Sequence, residues 1–229
     1  MQRYAIYYMP AEHTPLWRFG SSVLGFDAAT FTDVDYPDHP LFRDPESLGY
    51  TAAPRRYGFH ATLKAPFRLA EGRDAGDLER RLEDFAAAQE AFDITLKLAT
   101  LRDFVALVAS DPTPRLDRLA EACVRDFDAF RAPLTPEDRE RRHPERLTPR
   151  QLENLDRWGY PFVFDDFRFH MTLTGSLTLD DQIRLGPVLD ELFQTIAPTI
   201  AIDAVALFVQ GEAEGRFRVR ARFPFRDAG

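Results

Sequence analysis

The chain has 229 residues, 45% of them apolar, and a formal net charge of −8. That length can bury a sizeable core in one large domain or two lobes, and the composition excludes a disordered chain. No apolar run approaches the ~20 residues of a membrane helix, residues 1–10 do not read as a secretory signal, and the acidic balance argues against a partner as large and anionic as long nucleic acid.

The single cysteine, Cys123, excludes an internal disulfide and reads as a small core residue rather than a reactive thiol. A cytoplasmic monomer is expected. Of 29 basic residues only Lys64 and Lys97 are lysines.

In chain order, residues 3–9 form a β-rich run. Helical spacing follows over 16–24, then a Pro- and Asp-rich loop from 25 to about 54. Residues 59–67 alternate as a strand. A charged amphipathic helix is predicted over about 74–90, with Leu78, Leu82 and Phe85 on one side. Strands follow near 92–99 and 104–109, then a helix over about 115–130. The stretch 132–161 is highly charged and proline-rich. Within it Thr135-Pro136 and Thr148-Pro149 have the form of helix starts, a capping threonine followed by proline at the first helical position. This stretch reads as a surface helical connection; the functional alternative is a lid with Trp158 and Tyr160 as aromatic contacts. Residues 167–174 read as a second alternating strand. A helix over 179–194 follows, with Ile183, Leu185, Leu189 and Leu192 as apolar positions, then strands near 199–209 and 216–223 joined by a turn at 211–215.

One pentapeptide occurs twice. Phe59-His60-Ala61-Thr62-Leu63 returns 110 residues later as Phe169-His170-Met171-Thr172-Leu173. Successive side chains of a strand point to opposite faces. His60, Thr62 and Lys64 therefore share one face, as do His170, Thr172 and Thr174, while Phe59, Ala61 and Leu63 face the other way with Phe169, Met171 and Leu173. Each motif strand is followed by helix, strand, strand. This common order points to internal duplication and to a two-lobed chain with pseudo-twofold symmetry, the lobes spanning roughly 1–110 and 162–229 and the helical connection 111–161, with the motif strands near the axis.

Histidine both takes and gives a proton near neutrality, because its ordinary pKa is ~6.5. Two of them on opposite sides of a phosphodiester can divide the work, one deprotonating the attacking oxygen and the other protonating the leaving one. The threonines can donate hydrogen bonds to nonbridging oxygens whose charge grows in the transition state. Neither copy has a second histidine, cysteine or carboxylate at the offsets common in zinc sites, so no metal ligand set is assigned. Lone histidines are more often structural; the pairing is what turns the reading toward catalysis.

The two motifs resemble those of the 2H phosphoesterase superfamily, whose pattern is His-x-Thr/Ser-x with apolar x. That superfamily includes RNA 2′,3′-cyclic phosphodiesterases, LigT-like 2′-5′ RNA ligases and ADP-ribose 1″,2″-cyclic phosphodiesterases. The extended blocks Pro54-Arg55-Arg56-Tyr57-Gly58-Phe59-His60-Ala61-Thr62-Leu63-Lys64-Ala65-Pro66-Phe67 and Arg168-Phe169-His170-Met171-Thr172-Leu173-Thr174-Gly175 are similar to a bacterial branch often encoded beside phosphonate-degradation genes. The opening Arg3-Tyr4-Ala5-Ile6-Tyr7-Tyr8 and Leu16-Trp17-Arg18 share that similarity. The resemblance implies an α+β fold of two pseudo-twofold-related lobes of mainly antiparallel sheet, with helices outside and a cleft between. It also implies His60, Thr62, His170 and Thr172 as catalytic residues, no cofactor, and metal-independent opening of a small cyclic phosphodiester. Ribose 1,2-cyclic phosphate and 2′,3′-cyclic nucleotides are the leading substrates, in phosphonate metabolism.

Six further residues are candidates for substrate binding. Arg56, Tyr57 and Arg168 flank the motifs, with surface ion pairing or packing as competing roles. Lys64 and Thr174 lie on the polar faces, and Trp17 is a candidate to stack on a base or sugar, against a core role. His13, His39 and His143 read as surface residues. The rival functions are an RNA-end 2′,3′-cyclic phosphodiesterase or 2′-5′ RNA ligase, and a nucleotide- or phosphate-binding module without turnover.

Overall fold

Strand β1 (Arg3–Tyr8) is apolar on both faces, and Tyr4 to Tyr8 are each no more than 4% exposed. A strand buried on both faces requires partners on both edges. It finds them in β4 (Ala61–Phe67), which carries the first motif, and in β9 (Ala204–Gln210), whose seven residues are all buried. The computed structural model describes residues 2–44, 48–211 and 215–227. The remaining principal strands are β5 (Phe92–Leu101), β6 (Phe104–Ala109), β7 (His170–Thr172), β8 (Thr199–Ile202) and β10 (Arg218–Pro224). They complete one eight-stranded sheet in the order β10, β9, β1, β4, β7, β6, β5, β8, with every ladder antiparallel.

The two motif strands are neighbours at the middle of this order, as the repeat predicts, with three strands beyond each. The sequence halves 1–110 and 162–229 do not each build their own side of the sheet. β9 and β10 join β1 and β4, while β5 and β6 join β7 and β8. Two requirements explain the exchange. The free edge of buried β1 is closed by β9, and the three-residue β7 is completed by β6 through Ala106–Thr172, Leu107–Met171 and Val108–His170. The second motif strand is shorter than the predicted 167–174 because Leu173 and Thr174 both donate their backbone N–H to the carbonyl of Val105, at 2.9 and 3.2 Å, which ends the regular ladder.

The helices follow their predicted signals closely. Helix α1 (Pro15–Leu24) is capped by the Thr14 hydroxyl, which accepts from the Trp17 N–H, and stops at Gly25 with φ 64°. The region 25–54 is more structured than a loop: it holds the hairpin β2 (Phe26–Asp27) and β3 (Thr32–Asp33), a 3-10 turn at Pro40–Arg43 and the short α2 (Ala52–Arg55). α3 (Ala75–Ala87) buries Leu78, Leu82 and Phe85. α4 (Pro114–Asp126) buries Cys123, whose thiol pKa burial pushes up. α5 (Pro136–Glu140) and α6 (Pro149–Trp158) start at the capping threonines Thr135 and Thr148, the second closing a capping box with Gln151. α7 (Leu179–Gln194) has the predicted bounds, yet Ile183 is 64% exposed; Leu185, Leu189 and Phe193 form its buried stripe. The predicted turn at 211–215 lies partly outside the described residues.

The motif's apolar face is where helix and sheet lock together. Phe59, Ala61, Leu63, Phe169, Met171 and Leu173 are all no more than 7% exposed. The Phe59 ring lies directly on Gly20 of α1, where a Cβ would sit 2.1 Å from the ring's Cγ. Helix propensity favours Gly20→Ala by ~1 kcal/mol, but overpacking of this order costs typically 1–3 kcal/mol or more. Gly20→Ala is therefore expected to lower the urea midpoint, and Phe59→Leu in the same chain to recover part of the loss; a midpoint that rises with Gly20→Ala would show that the ring has room to move.

Candidate active site

Antiparallel pairing of Ala61 with Met171 joins β4 to β7. That register sets His60 opposite Thr172 and Thr62 opposite His170, so that two histidines occupy one diagonal of a four-residue patch and two threonines the other. All four side chains are half-buried, between a fully apolar underside and open space above. A cleft of ≈ 350 Å³ is lined by His60, Thr62 and Thr172 together with Tyr7, Tyr57 and Arg142. His170 opens onto an adjoining cavity of ≈ 310 Å³ that shares Thr62, Phe104 and Tyr160 with the cleft.

The two histidines are held in the same way. Nδ1 of His60 lies 2.9 Å from the carbonyl oxygen of Gly58, and Nδ1 of His170 lies 2.7 Å from the carbonyl oxygen of Arg168, in each case two residues back. A carbonyl oxygen only accepts, so both Nδ1 atoms carry a hydrogen and both Nε2 atoms are left for chemistry. In the neutral ring that Nε2 is a lone pair. At His60 the Thr62 hydroxyl stands 3.3 Å from it and donates. Gly58 has φ +72°, a left-handed conformation that turns its carbonyl back toward the ring, and Ala28 leaves no space for a Cβ there. Tyr7, whose backbone pairs with Thr62, stacks on the His60 ring at 3.8 Å between centroids and 25° between planes. Phe104 stands beside His170 with centroids 5.9 Å apart.

The structure disperses the other six candidates. Tyr57 lines the cleft and stacks on Phe217 at 5.3 Å. Thr174 borders the cleft, but its hydroxyl is occupied, accepting from the Val105 N–H at 2.9 Å and donating to the Gly175 carbonyl at 3.0 Å; it holds the end of β7 instead of facing a ligand. Lys64 departs from the face of His60 and Thr62. Ile6 pairs with Lys64 but the next residue, Tyr7, pairs with Thr62, so Leu63 is an extra residue and the bulge breaks the alternation. Lys64 is 4% exposed, donates to the Val124 carbonyl at 3.0 Å, and pairs with Asp128 at 3.5 Å. Its pKa is lowered to about 8, by burial first, with Asp128 opposing. Arg56 lines the same neighbouring cavity as Lys64. Arg168 donates to the carbonyls of Asp165 and Phe167 and lines the cavity on the His170 side. Trp17 is a core residue, 2% exposed, its indole N–H donating to Asp27 at 3.1 Å, and it does not line the cleft.

Sequence reasoning missed Tyr7, Phe104, Arg3 and Arg142. Only Tyr7 carried a signal, as an aromatic residue in a run too apolar to be an edge strand. Segment 132–161 supplies a wall of this region through Arg142 and Tyr160. Among the described residues, no group of three His, Cys, Asp or Glu is placed to hold a metal ion, and no helix is long and apolar enough to cross a membrane.

Burial pushes the His60 pKa from 6.5 down to about 4; the Gly58 carbonyl opposes this, and a charge on His170 adds to it. A folded value below the unfolded one means that the unfolded chain takes up its proton first. Stability from this group is complete above pH ~6.5 and is lost as pH falls toward the folded value. An NMR titration of the His60 ring protons is expected to show a midpoint far below 6.5, and His170→Ala to move it upward. A midpoint at or above 6.5 would mean that the ring is better solvated than its packing on Tyr7 allows.

Comparison with known proteins gives a family. Ribose 1,5-bisphosphate phosphokinase PhnN of Janthinobacterium sp. (strain Marseille) is 37% identical over 235 residues, covering 100% of this chain and 52% of that protein. Its namesake in Laribacter hongkongensis (strain HLHK9) is 35% identical over 221 residues, covering 95% and 50%. The chain thus spans about half the length of the curated relatives it matches. Among solved structures, a phosphoesterase aligns at 15% identity and a TM-score of 0.44 over 99% of both chains, and E. coli LigT complexed with NADP+ at 15% and 0.44 over 98% of both. The family model DUF1045, described as a protein of unknown function, matches residues 62–218, from Thr62 of the first motif through all of the second. The chain belongs to the DUF1045 family.

Proposed function

We propose that this chain is a metal-independent phosphoesterase of the 2H type that opens a small cyclic phosphodiester by paired-histidine acid–base catalysis. The observation that carries the reading is the common tethering of the two histidines: each donates Nδ1–H to the carbonyl two residues back, which leaves two Nε2 atoms on one polar patch flanked by two threonine hydroxyls.

The two rings have different roles in this proposal. His60 is neutral at neutral pH because burial disfavours its cation, so its Nε2 lone pair acts as the base. His170 acts as the acid. Water adds to phosphorus and gives its proton to Nε2 of His60. The bond from phosphorus to one ring ester oxygen breaks, and that oxygen takes the proton from Nε2 of His170. The product is an acyclic phosphomonoester with a free hydroxyl, and the two histidines then exchange protons with solvent. Thr62, its hydroxyl turning from Nε2 of His60 to the bound phosphate, and Thr172 donate to the nonbridging oxygens, whose charge grows as water attacks. Tyr7 supports the His60 ring from its face and limits its rotation.

For the substrate, the size of the cleft suits a sugar or nucleotide and not a polymer. The relatives' names supply a class, since a kinase named for ribose 1,5-bisphosphate handles a ribose with a phosphate on C1. Opening a ribosyl 1,2-cyclic phosphate at its bond to O2 yields a ribose 1-phosphate group. We therefore place a ribosyl cyclic phosphate ahead of the 2′,3′-cyclic nucleotides, with a role in phosphonate metabolism.

The test is hydrolysis of a panel, ribose 1,2-cyclic phosphate and the four 2′,3′-cyclic nucleotides, with EDTA present. Turnover is expected to survive the chelator. His60→Ala and His170→Ala should each lower kcat/KM by about 10²–10⁴, the usual worth of a positioned acid or base. The acidic limb of kcat/KM should fall well below pH 6.5, following His60. Loss of activity with EDTA, restored by a divalent metal, would replace this mechanism; folded protein inert toward every member would favour a binding module.

A further inference from the structure

A third cavity, of ≈ 240 Å³, adjoins the histidine cleft and shares Arg3, Tyr57, Ala65, Pro66, Arg142 and Tyr160 with it. Its lining is unlike the rest of this acidic chain. Seven of its side chains are cationic and one, Asp138, is a carboxylate.

Among the described residues, and leaving Arg56 aside, two carboxylates serve four of the other six cations. Asp138 is shared between Arg68 and Arg141. Asp128 is shared between Lys64 and Arg131, at 3.5 and 2.9 Å. Each carboxylate therefore serves two cations. Arg3 and Arg142 rest on neutral groups: Arg3 donates to the side-chain oxygen of Gln210 at 2.8 Å, and Arg142 lies 5.0 Å over the ring of Tyr160. A surplus of guanidinium groups, rigid and planar, in a concave pocket fits the tetrahedral oxygens of a phosphate by bidentate, charge-assisted hydrogen bonds.

We infer that this cavity is a subsite for a phosphomonoester carried by the same molecule whose cyclic ester lies on the histidines, so that the substrate is a doubly phosphorylated sugar. The inference rests on the reading of the cleft as a cyclic phosphodiesterase. Binding energy collected at the remote phosphate, which does not react, holds the cyclic phosphate against His60 and His170. Four of the cations reach the cavity from outside the central strands: Arg131 follows α4, Arg141 and Arg142 follow α5, and Arg68 directly follows β4. The charged connection between the motif halves is thereby a specificity element.

The experiment compares ribose 1,2-cyclic phosphate with its 5-phosphorylated form. The wild-type chain is expected to favour the phosphorylated form by at least 100-fold in kcat/KM. Arg68→Gln with Arg141→Gln is expected to reduce that ratio by at least tenfold. A merely structural role for these arginines would lower both substrates alike and leave the ratio intact, which would overturn the subsite. Arg141 alone, 64% exposed, supplies the variant if the pair does not fold.

Turnover of both esters at equal kcat/KM would overturn the subsite and leave the cleft reading standing. Turnover of neither, nor of any 2′,3′-cyclic nucleotide, would overturn the cleft reading. Calorimetry then decides the subsite by itself, with ribose 5-phosphate as the probe and ribose as the control. Binding of the phosphate ester alone, weakened at least tenfold in the arginine variant, sustains it; equal or absent binding of the two overturns it.

Discussion

The structure depends on one seam. Ala61 and Met171 are the partners that join the two sides of the eight-stranded sheet, and both are fully buried. A strand has a period of two, so slipping this pair by one residue would turn every histidine and threonine of one motif into the core and bring its phenylalanine and leucine out. The apolar faces of both motifs prevent that slip, since Phe59, Leu63, Met171 and Leu173 lie in the main core. The core thus aligns the two histidines and two threonines as a consequence of its own packing. The same seam accounts for the pseudo-twofold arrangement, because an antiparallel pair of two similar strands relates their side chains by a local twofold axis.

Around that seam the symmetry is broken in ways that matter chemically. Both histidines donate Nδ1–H to a carbonyl two residues back, but the turn before His60 is made by a glycine with positive φ and the one before His170 follows a 3-10 turn at Phe164–Asp166. His60 is stacked on Tyr7 and packed toward Phe208; His170 has Phe104 at 5.9 Å and a more open side. Equal tethering in unequal surroundings gives two imidazoles that both present Nε2 to one polar patch. The repeated motif supplies the pair, and packing gives its members different surroundings.

Much of this was legible in the residues. The repeated pentapeptide, the alternation of each motif, the threonine–proline helix starts and the bounds of α7 follow from local chemistry, and local chemistry is what a linear pattern records. The failures have a common cause in long-range structure. Lys64 left the predicted face because a bulge at Leu63 shifts the register against β1, and nothing in β4 itself announces it. Thr174 lost its predicted role because Val105, on a different strand, claims its hydroxyl. The exchange of strands between halves depends on which edges remain open after folding, so order along the chain could not show it. Trp17 lies in the core, the role that its helical spacing favoured over contact with a ligand.

The acidic net charge does not describe the charge inside an individual cavity. A sum over 229 residues bears on long-range attraction and on solubility, whereas a pocket responds to charges within a Debye length of ~8–10 Å. Here the carboxylates are spread over exposed helices and turns, while cations from β1, from the continuation of β4 and from the connecting segment converge on one cavity. An overall negative surface repels polyanions, and a small recessed positive pocket still accepts a compact anion that fits inside it. On the proposed reading that combination would discriminate by size: a sugar phosphate can bring its charges into the cavity, and a nucleic acid strand would have to leave most of its phosphates against the acidic exterior. Global repulsion and local attraction are therefore complementary features of one selectivity.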